Sequence, residues 1–228
     1  MVTDNTKIQV EIMRPFGPSM ARIKMPQELI DDLNSAADEI IADEKEVKRR
    51  DYSDNLVGKV KQEFSLPQDT FKEHQGFFDT AIETYLNWND QFNSITRPKD
   101  CNYNISYKSG WYVRTFAGDF NPSHMHTGCH MSSVGYLKLP DKIEEEWEED
   151  YKDNYPCVGH IEFQHGTPAL WNPHSQMIKP EIGDFYIFPA YLLHTVYPFK
   201  SEGERRSFSF NTSIKLVRDG KEIPLNAR

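Results

Sequence analysis

The apolar positions of this chain change period about midway along it. From Pro26 to about Ile41, Leu29, Ile30, Leu33, Ala37, Ile40 and Ile41 recur at the three- and four-residue spacing of a one-faced helix. Pro26 suits its first turn, where a missing N–H costs nothing. A second helix is predicted after "SLPQDT", with Phe71, Phe78, Ile82, Tyr85 and Leu86 on one face, ending near Phe92. Ahead of both, residues 6–15 and 21–26 alternate well enough for short strands around an "FGPS" turn. After "TRPKD" (96–100) the helical period gives way to short aromatic and β-branched runs. "YNISYKSGWYVRTF", "SSVGYLKLP", "GHIEFQ", "DFYIFP", "HTVYPF" and "SFSFNTSIKLV" are separated by Gly, Pro and Asn, the pattern of an all-β sandwich or barrel.

One of these strands is ambiguous in an informative way. In "ERRSFSFNTSI", Arg205, Ser207, Ser209 and Asn211 share one face, while Arg206, Phe208, Phe210 and Thr212 share the other. Either the phenylalanines pack outward on the helices and the polar face lines the barrel, or the reverse; alternation alone does not choose. A buried Arg205 would need an anionic partner, because an unpaired interior charge is too costly. A bound carboxylate held in a bidentate fork, with Ser207 adding a hydrogen bond, would satisfy it.

"PSHMHTGCH" (122–130) holds three of the chain's eight histidines. If it is extended, His124 and His126 project from one face with Cα atoms roughly 6.5–7 Å apart, close enough to converge on one metal ion. Thr127-Gly128 favours a turn before His130. A further histidine, His194, follows a break at Pro189-Ala190. His74, His160, His165 and His174 read as histidines satisfied by local hydrogen bonds, and Asp119 and Asn121 as turn formers. Tyr112 and Arg114 are candidates to face a substrate or co-substrate.

Composition narrows the function classes. The 228 residues can bury a substantial core, and 38% hydrophobic residues with 13% aromatics mark a globular chain. No apolar run approaches the roughly 18–20 residues of a membrane span. The start lacks the basic and apolar regions of a signal peptide, so the cytoplasm is expected. A net charge of −9 weighs against nucleic acid as a partner. Cys101, Cys129 and Cys157 are odd in number and widely spaced, which fits free thiols in a reducing compartment. The acidic stretch 141–156 reads as a solvated loop or short helix at the barrel rim, or as a docking surface for a basic partner.

Taken together, "HMH" (124–126), "GYLKLP" (135–140), "GDFYIFPAYLLHTVYP" with His194, and "RRSFSFN" resemble the iron(II)- and 2-oxoglutarate-dependent oxygenases. That family has a His-x-Asp/Glu pair, a tyrosine-leucine strand, a distal histidine, and then Arg-x-Ser about ten residues on; here Arg205 follows His194 by eleven. The likeness is strongest to a small branch known mainly from phage and marine bacteria, and it spans about residues 100–215. It implies a double-stranded β-helix (a cupin-like jelly roll) over 99–218, with residues 1–98 as strand and helix support in one domain. It also implies Fe(II) held by His124, His126 and His194, with no catalytic residue beyond the ligands. The far carboxylate of 2-oxoglutarate would lie on Arg205 and Ser207. The implied reaction uses dioxygen, releases succinate and carbon dioxide, and hydroxylates an unidentified substrate.

The chain departs from the family at one ligand, since His126 stands where Asp or Glu is usual. His126 can ligate directly, stand beside a two-histidine site, or leave the place to Glu162 or Asp119. Two other functions stay open: a three-histidine cupin-type dioxygenase that does not use 2-oxoglutarate, and a non-catalytic jelly-roll binding or structural protein. Arg205 and Ser207 count against the first, and the presence of both His124 and His194 against the second.

Overall fold

A computed structural model describes residues 9–13, 17–93, 97, 100–149, 157–170 and 173–223. The strands are β1 (Val10–Met13), β2 (Met20–Lys24), β3 (Gln62–Ser65), β4 (Cys101–Thr115), β5 (Asn121–His124) and β6 (Met131–Lys138). They continue with β7 (Ile161–Gln164), β8 (Ser175–Ile178), β9 (Asp184–Pro189), β10 (Leu193–Val196), β11 (Arg205–Arg218) and β12 (Lys221–Ile223). The helices are α1 (Gln27–Ile41), α2 (Glu44–Arg50), α3 (Gln68–Glu73), α4 (Gln75–Phe92) and α5 (Ile143–Glu148). Every strand pairing is antiparallel. A large sheet runs β1-β2-β9-β6-β11-β4-β3, with β12 on β11, and a smaller one runs β5-β10-β7-β8. Two facing antiparallel sheets of this order make the jelly roll, mainly β with helices packed on it.

Helix packing settles which way β11 faces. Phe208 and Phe210 point outward into the core formed with α1 and α4, where Leu29, Leu33, Phe78 and Ile82 are sealed from solvent. The Phe208 ring stacks on Phe185 at 5.7 Å, and Phe78 meets Phe210 edge-on at 5.1 Å. Gly135 on β6 makes room for this, since a Cβ there would lie 2.2 Å from the Phe208 ring. Arg206 shares that outer face. It donates to Glu204 at 2.8 Å and to Asp38 at 2.6 Å, and reaches the Asn34 carbonyl and side chain on α1. Arg205, Ser207 and Ser209 therefore point between the sheets.

The second helix and three short strands differ from the sequence pattern, while the acidic insertion does form a short helix. The second helix starts earlier, at Gln68 after Pro67, and breaks at His74 into α3 and α4. The His74 ring sits 2.8 Å from Asp32 of α1, so this histidine links two helices. The four-residue strands β3, β5 and β8 have too few apolar positions to announce themselves. In the acidic insertion, α5 turns Glu146 inward to accept from the Lys200 and Ser201 amides and the Ser201 hydroxyl. Residues 150–156 of that insertion, and Trp171 with Asn172, lie outside the described residues.

Candidate metal centre

His124 ends β5, and His194 lies directly opposite it in the antiparallel register with β10. Cross-strand partners sit on one face about 4.5–5.5 Å apart, so the two imidazoles meet without special loops. Past the end of β5, the backbone at His126 is held by its N–H donating to the Ala190 carbonyl at 2.9 Å. That bond turns the His126 ring back beside the other two. One nitrogen from each of the three lies within 4.8 Å of the others. Ring centroids are 4.2 Å apart for His124 and His194, 5.2 Å for His126 and His194, and 5.4 Å for His124 and His126.

Hydrogen bonds decide which nitrogens remain open. The Nδ1 of His124 is 2.8 Å from the Pro122 carbonyl, and the Nδ1 of His194 is 2.9 Å from that of Leu192. A carbonyl only accepts, so both Nδ1 atoms carry the proton and both Nε2 atoms keep a lone pair for a metal. Burial favours the neutral form of all three rings. Desolvation, followed by the charge of His124, pushes His194 down to about 3 and His126 to about 4, and desolvation lowers His124. Phe163 and Phe188 pack against His194 at 5.7 and 5.1 Å, and Trp111 lies 5.7 Å from His126.

Across the cavity from the imidazoles stands Arg205. It is 3% exposed, lies over the Tyr136 ring at 5.1 Å, and its Nε has no hydrogen-bond partner. Ser207 faces the same cavity, as do Trp111 and Val113. The Tyr136 hydroxyl is also buried without a partner. An isolated interior guanidinium is expensive, and a bound carboxylate is the chemistry that would offset it. The donor set fits the implied cofactors: three neutral imidazoles suit Fe(II), and the orphaned Arg205 Nε suits a carboxylate of 2-oxoglutarate.

The carboxylates considered from the sequence are occupied elsewhere. Glu162 pairs in register with Thr195, one residue beyond His194 and so on the other face, where it accepts from the Tyr197 hydroxyl at 2.6 Å. Asp119 accepts from the backbone amides of Lys61 and Phe116, both at 3.0 Å. Among the described residues no carboxylate joins the three-histidine group. Tyr112 and Arg114 face away from the cavity. The Tyr112 hydroxyl donates to the Leu33 carbonyl at 2.9 Å, and Arg114 pairs with Glu204 at 2.7 Å. Their neighbours Trp111 and Val113 point inward instead, as alternation along β4 requires.

Two cavity residues were not among the site residues expected from the sequence, although Tyr136 belongs to the tyrosine-leucine strand. Tyr136 sits in the "GYL" strand and supports the arginine through its ring. Glu63 lies on β3, opposite Val113, and reaches the cavity from the sheet edge.

Residues 109–211 match the family model described as putative 2OG-Fe(II) oxygenase. A Pseudomonas putida prolyl-4-hydroxylase has a similar fold, with a TM-score of 0.52 at 14% identity over 84% of this chain and 91% of that one. A Trichoplax adhaerens prolyl hydroxylase, solved with a hypoxia inducible factor oxygen degradation domain peptide fragment, gives 0.50 at 12% identity over 85% and 83%. A search of curated protein sequences found no match. The structural likenesses speak for the fold alone. The matched segment carries all three clustered histidines, Arg205 and Ser207.

Proposed function

We propose that His124, His126 and His194 hold the iron(II) of this oxygenase, and that Arg205 and Ser207 bind the far carboxylate of 2-oxoglutarate. The observation that carries the reading is the pairing across one cavity of three converging imidazoles with a buried guanidinium whose Nε has no hydrogen-bond partner. With iron and 2-oxoglutarate bound, the centre would supply the oxidising power for hydroxylation, using dioxygen and releasing succinate and carbon dioxide.

The chain's own residues do four things. The Pro122 and Leu192 carbonyls fix the tautomers that turn lone pairs inward. Phe163 and Phe188 shield the buried His194 from water, and Trp111 covers one side of His126. Arg205 orients the co-substrate, with the Tyr136 ring against its guanidinium. His126 replaces a carboxylate and leaves the site one unit more positive, which dianionic 2-oxoglutarate can neutralise. A three-histidine dioxygenase that works without 2-oxoglutarate would have no use for Arg205.

Coarser features fit a soluble enzyme of the reducing cytoplasm. Among the described residues no helix is long and apolar enough to cross a membrane, and Cys101 and Cys129 are free thiols. The net charge of −9 weighs against long nucleic acids as the substrate. We take the chain as one domain, since β1, β2 and β3 extend the same sheet as the carboxy-terminal strands.

The test is an anaerobic titration of the metal-free protein with iron(II), then with 2-oxoglutarate, followed by visible absorption. Chelation of iron by the keto acid gives a charge-transfer band without any need to know the substrate. The band is expected in the wild type, absent in His194→Ala, and to require far more 2-oxoglutarate in Arg205→Ala. Iron binding with no band would contradict the co-substrate assignment. A full-strength band in His126→Ala would remove His126 from the ligand set.

A further inference from the structure

The cavity holds a second unmatched charge-bearing group. Glu63 is 7% exposed, its Oε1 is sealed from solvent, and no hydrogen bond reaches that atom. Register fixes where it faces. Glu63 pairs with Val113, Val113 pairs with Ser207, and Ser207 pairs with Tyr136, so the four side chains form one rung on the inner face. The same cavity wall includes His124, His126, His194 and Arg205. Adjacent strands are about 4.8 Å apart, so two strand spacings put the Glu63 Cα roughly 10 Å from that of Ser207. Glu63 therefore enters the cavity from the β3 edge, a different wall from the β11 strand that carries Arg205 and Ser207.

Neighbouring groups give Glu63 no structural reason to be there. Arg114, next on the outer face, is engaged by Glu204 and Gln62, and Arg205, which lines the same cavity, makes no ion pair with Glu63. Asp51 is the charged group that acts on Glu63, and its sign is the same. Burial first, and then Asp51, push the Glu63 carboxyl up to about 7. A carboxyl with one oxygen sealed from solvent and no cation paired with it is an open half of an ion pair. Glu146 and Glu204, by contrast, are equally buried and are fully met by donors.

We propose that Glu63 is the substrate-recognising residue of this oxygenase, and that it selects a substrate presenting an ammonium or guanidinium group beside the bond to be hydroxylated. The inference rests on the assignment of the iron and 2-oxoglutarate sites to the same cavity. An ammonium or guanidinium at Glu63 restores the missing partner, and its charge stabilises the ionised carboxylate. Such a group binds where Arg205 repels it least, across the cavity from the guanidinium. A neutral or anionic head group would leave Glu63 buried and unmatched.

The test compares n-butylammonium with 1-butanol, a neutral probe of similar size. Binding to the full-length protein is followed by saturation-transfer NMR, first metal-free and then with zinc(II) and 2-oxoglutarate. The ammonium is expected to bind about tenfold or more tightly than the alcohol, the scale of a charged hydrogen bond. Glu63→Gln is expected to abolish the preference while keeping the iron–2-oxoglutarate band, which shows that the variant is folded. Glu63→Asp should restore part of the preference. Equal binding of the two probes, no binding of the ammonium, or a preference that survives in Glu63→Gln would overturn the proposal. A normal band with no ammonium preference would overturn this proposal alone. An ammonium preference that depends on Glu63 in a protein without a band would instead contradict the iron and co-substrate assignment.

Discussion

Arg205 and Arg206 are neighbours on β11, one 3% and the other 2% exposed, yet the two faces of the sheet treat them differently. Arg206, under α1, meets Glu204, Asp38 and Asn34. Arg205, between the sheets, has an aromatic ring and an unpartnered Nε. The same division separates Glu204 on the outer face from Glu63 on the inner one. On the outer face, folding brings each charge its partner; on the inner face, the partners are left to come from solution. A buried charge that folding does not satisfy costs stability, and the cost is recovered when a ligand binds.

Substitutions that separate the faces should rank accordingly. The largest loss is expected at the aromatic layer: Phe208→Ala should cost about 3–5 kcal/mol, measured by denaturant unfolding, because it empties a fully packed site. Gly135→Ala should also destabilise, since its Cβ would collide with the Phe208 ring. Arg206→Met should cost about 3 kcal/mol, near the lower end for breaking a buried ion pair, because Glu204 would keep Arg114.

Acid gives a smaller, graded version of the same break. Burial alone would raise the Glu204 carboxyl, but donation from Arg114 and Arg206 outweighs it and holds the group down at about 2. A depressed folded pKa means that the pair stabilises fully above the unfolded value of about 4.5 and loses that contribution as pH falls towards 2. Glu204→Gln should flatten the fall in thermal midpoint over this window. If the midpoints of wild type and Glu204→Gln fall in parallel, the outer-face network is not a source of acid sensitivity.

Much of the outer face was legible in the sequence, and much of the inner face was not. The three- and four-residue spacing of α1 could be read because one helix face carries its whole core contact. The Arg-x-Ser spacing could be read because it lies along the single strand β11, whereas His126 falls past the end of β5 and joins His124 through the bond of its N–H to Ala190. The orientation of β11 was not legible, since both faces of an alternating strand look alike until helices choose one. Glu63 was hidden for a related reason. In "KQEFSLP" it occupies a polar position beside Phe64, which reads as solvent-facing, whereas β3 is a sheet edge whose two faces are both covered. His194 was identified by its place after Pro189, but its meeting with His124 depends on a cross-strand register that neither segment encodes alone.

The smallest expected change in stability is the most telling. In the metal- and ligand-free protein, Arg205→Met should leave the thermal midpoint unchanged or raise it, because the substitution removes a buried charge without a carboxylate partner. The decisive measurement is that midpoint, for wild type and Arg205→Met, with zinc(II) present and 2-oxoglutarate added. 2-Oxoglutarate should raise the wild-type midpoint in proportion to its binding and leave Arg205→Met where it was. If the two proteins are stabilised equally, or Arg205→Met is clearly less stable than wild type before any ligand is added, then the inner-face charge is not a site waiting for its partner.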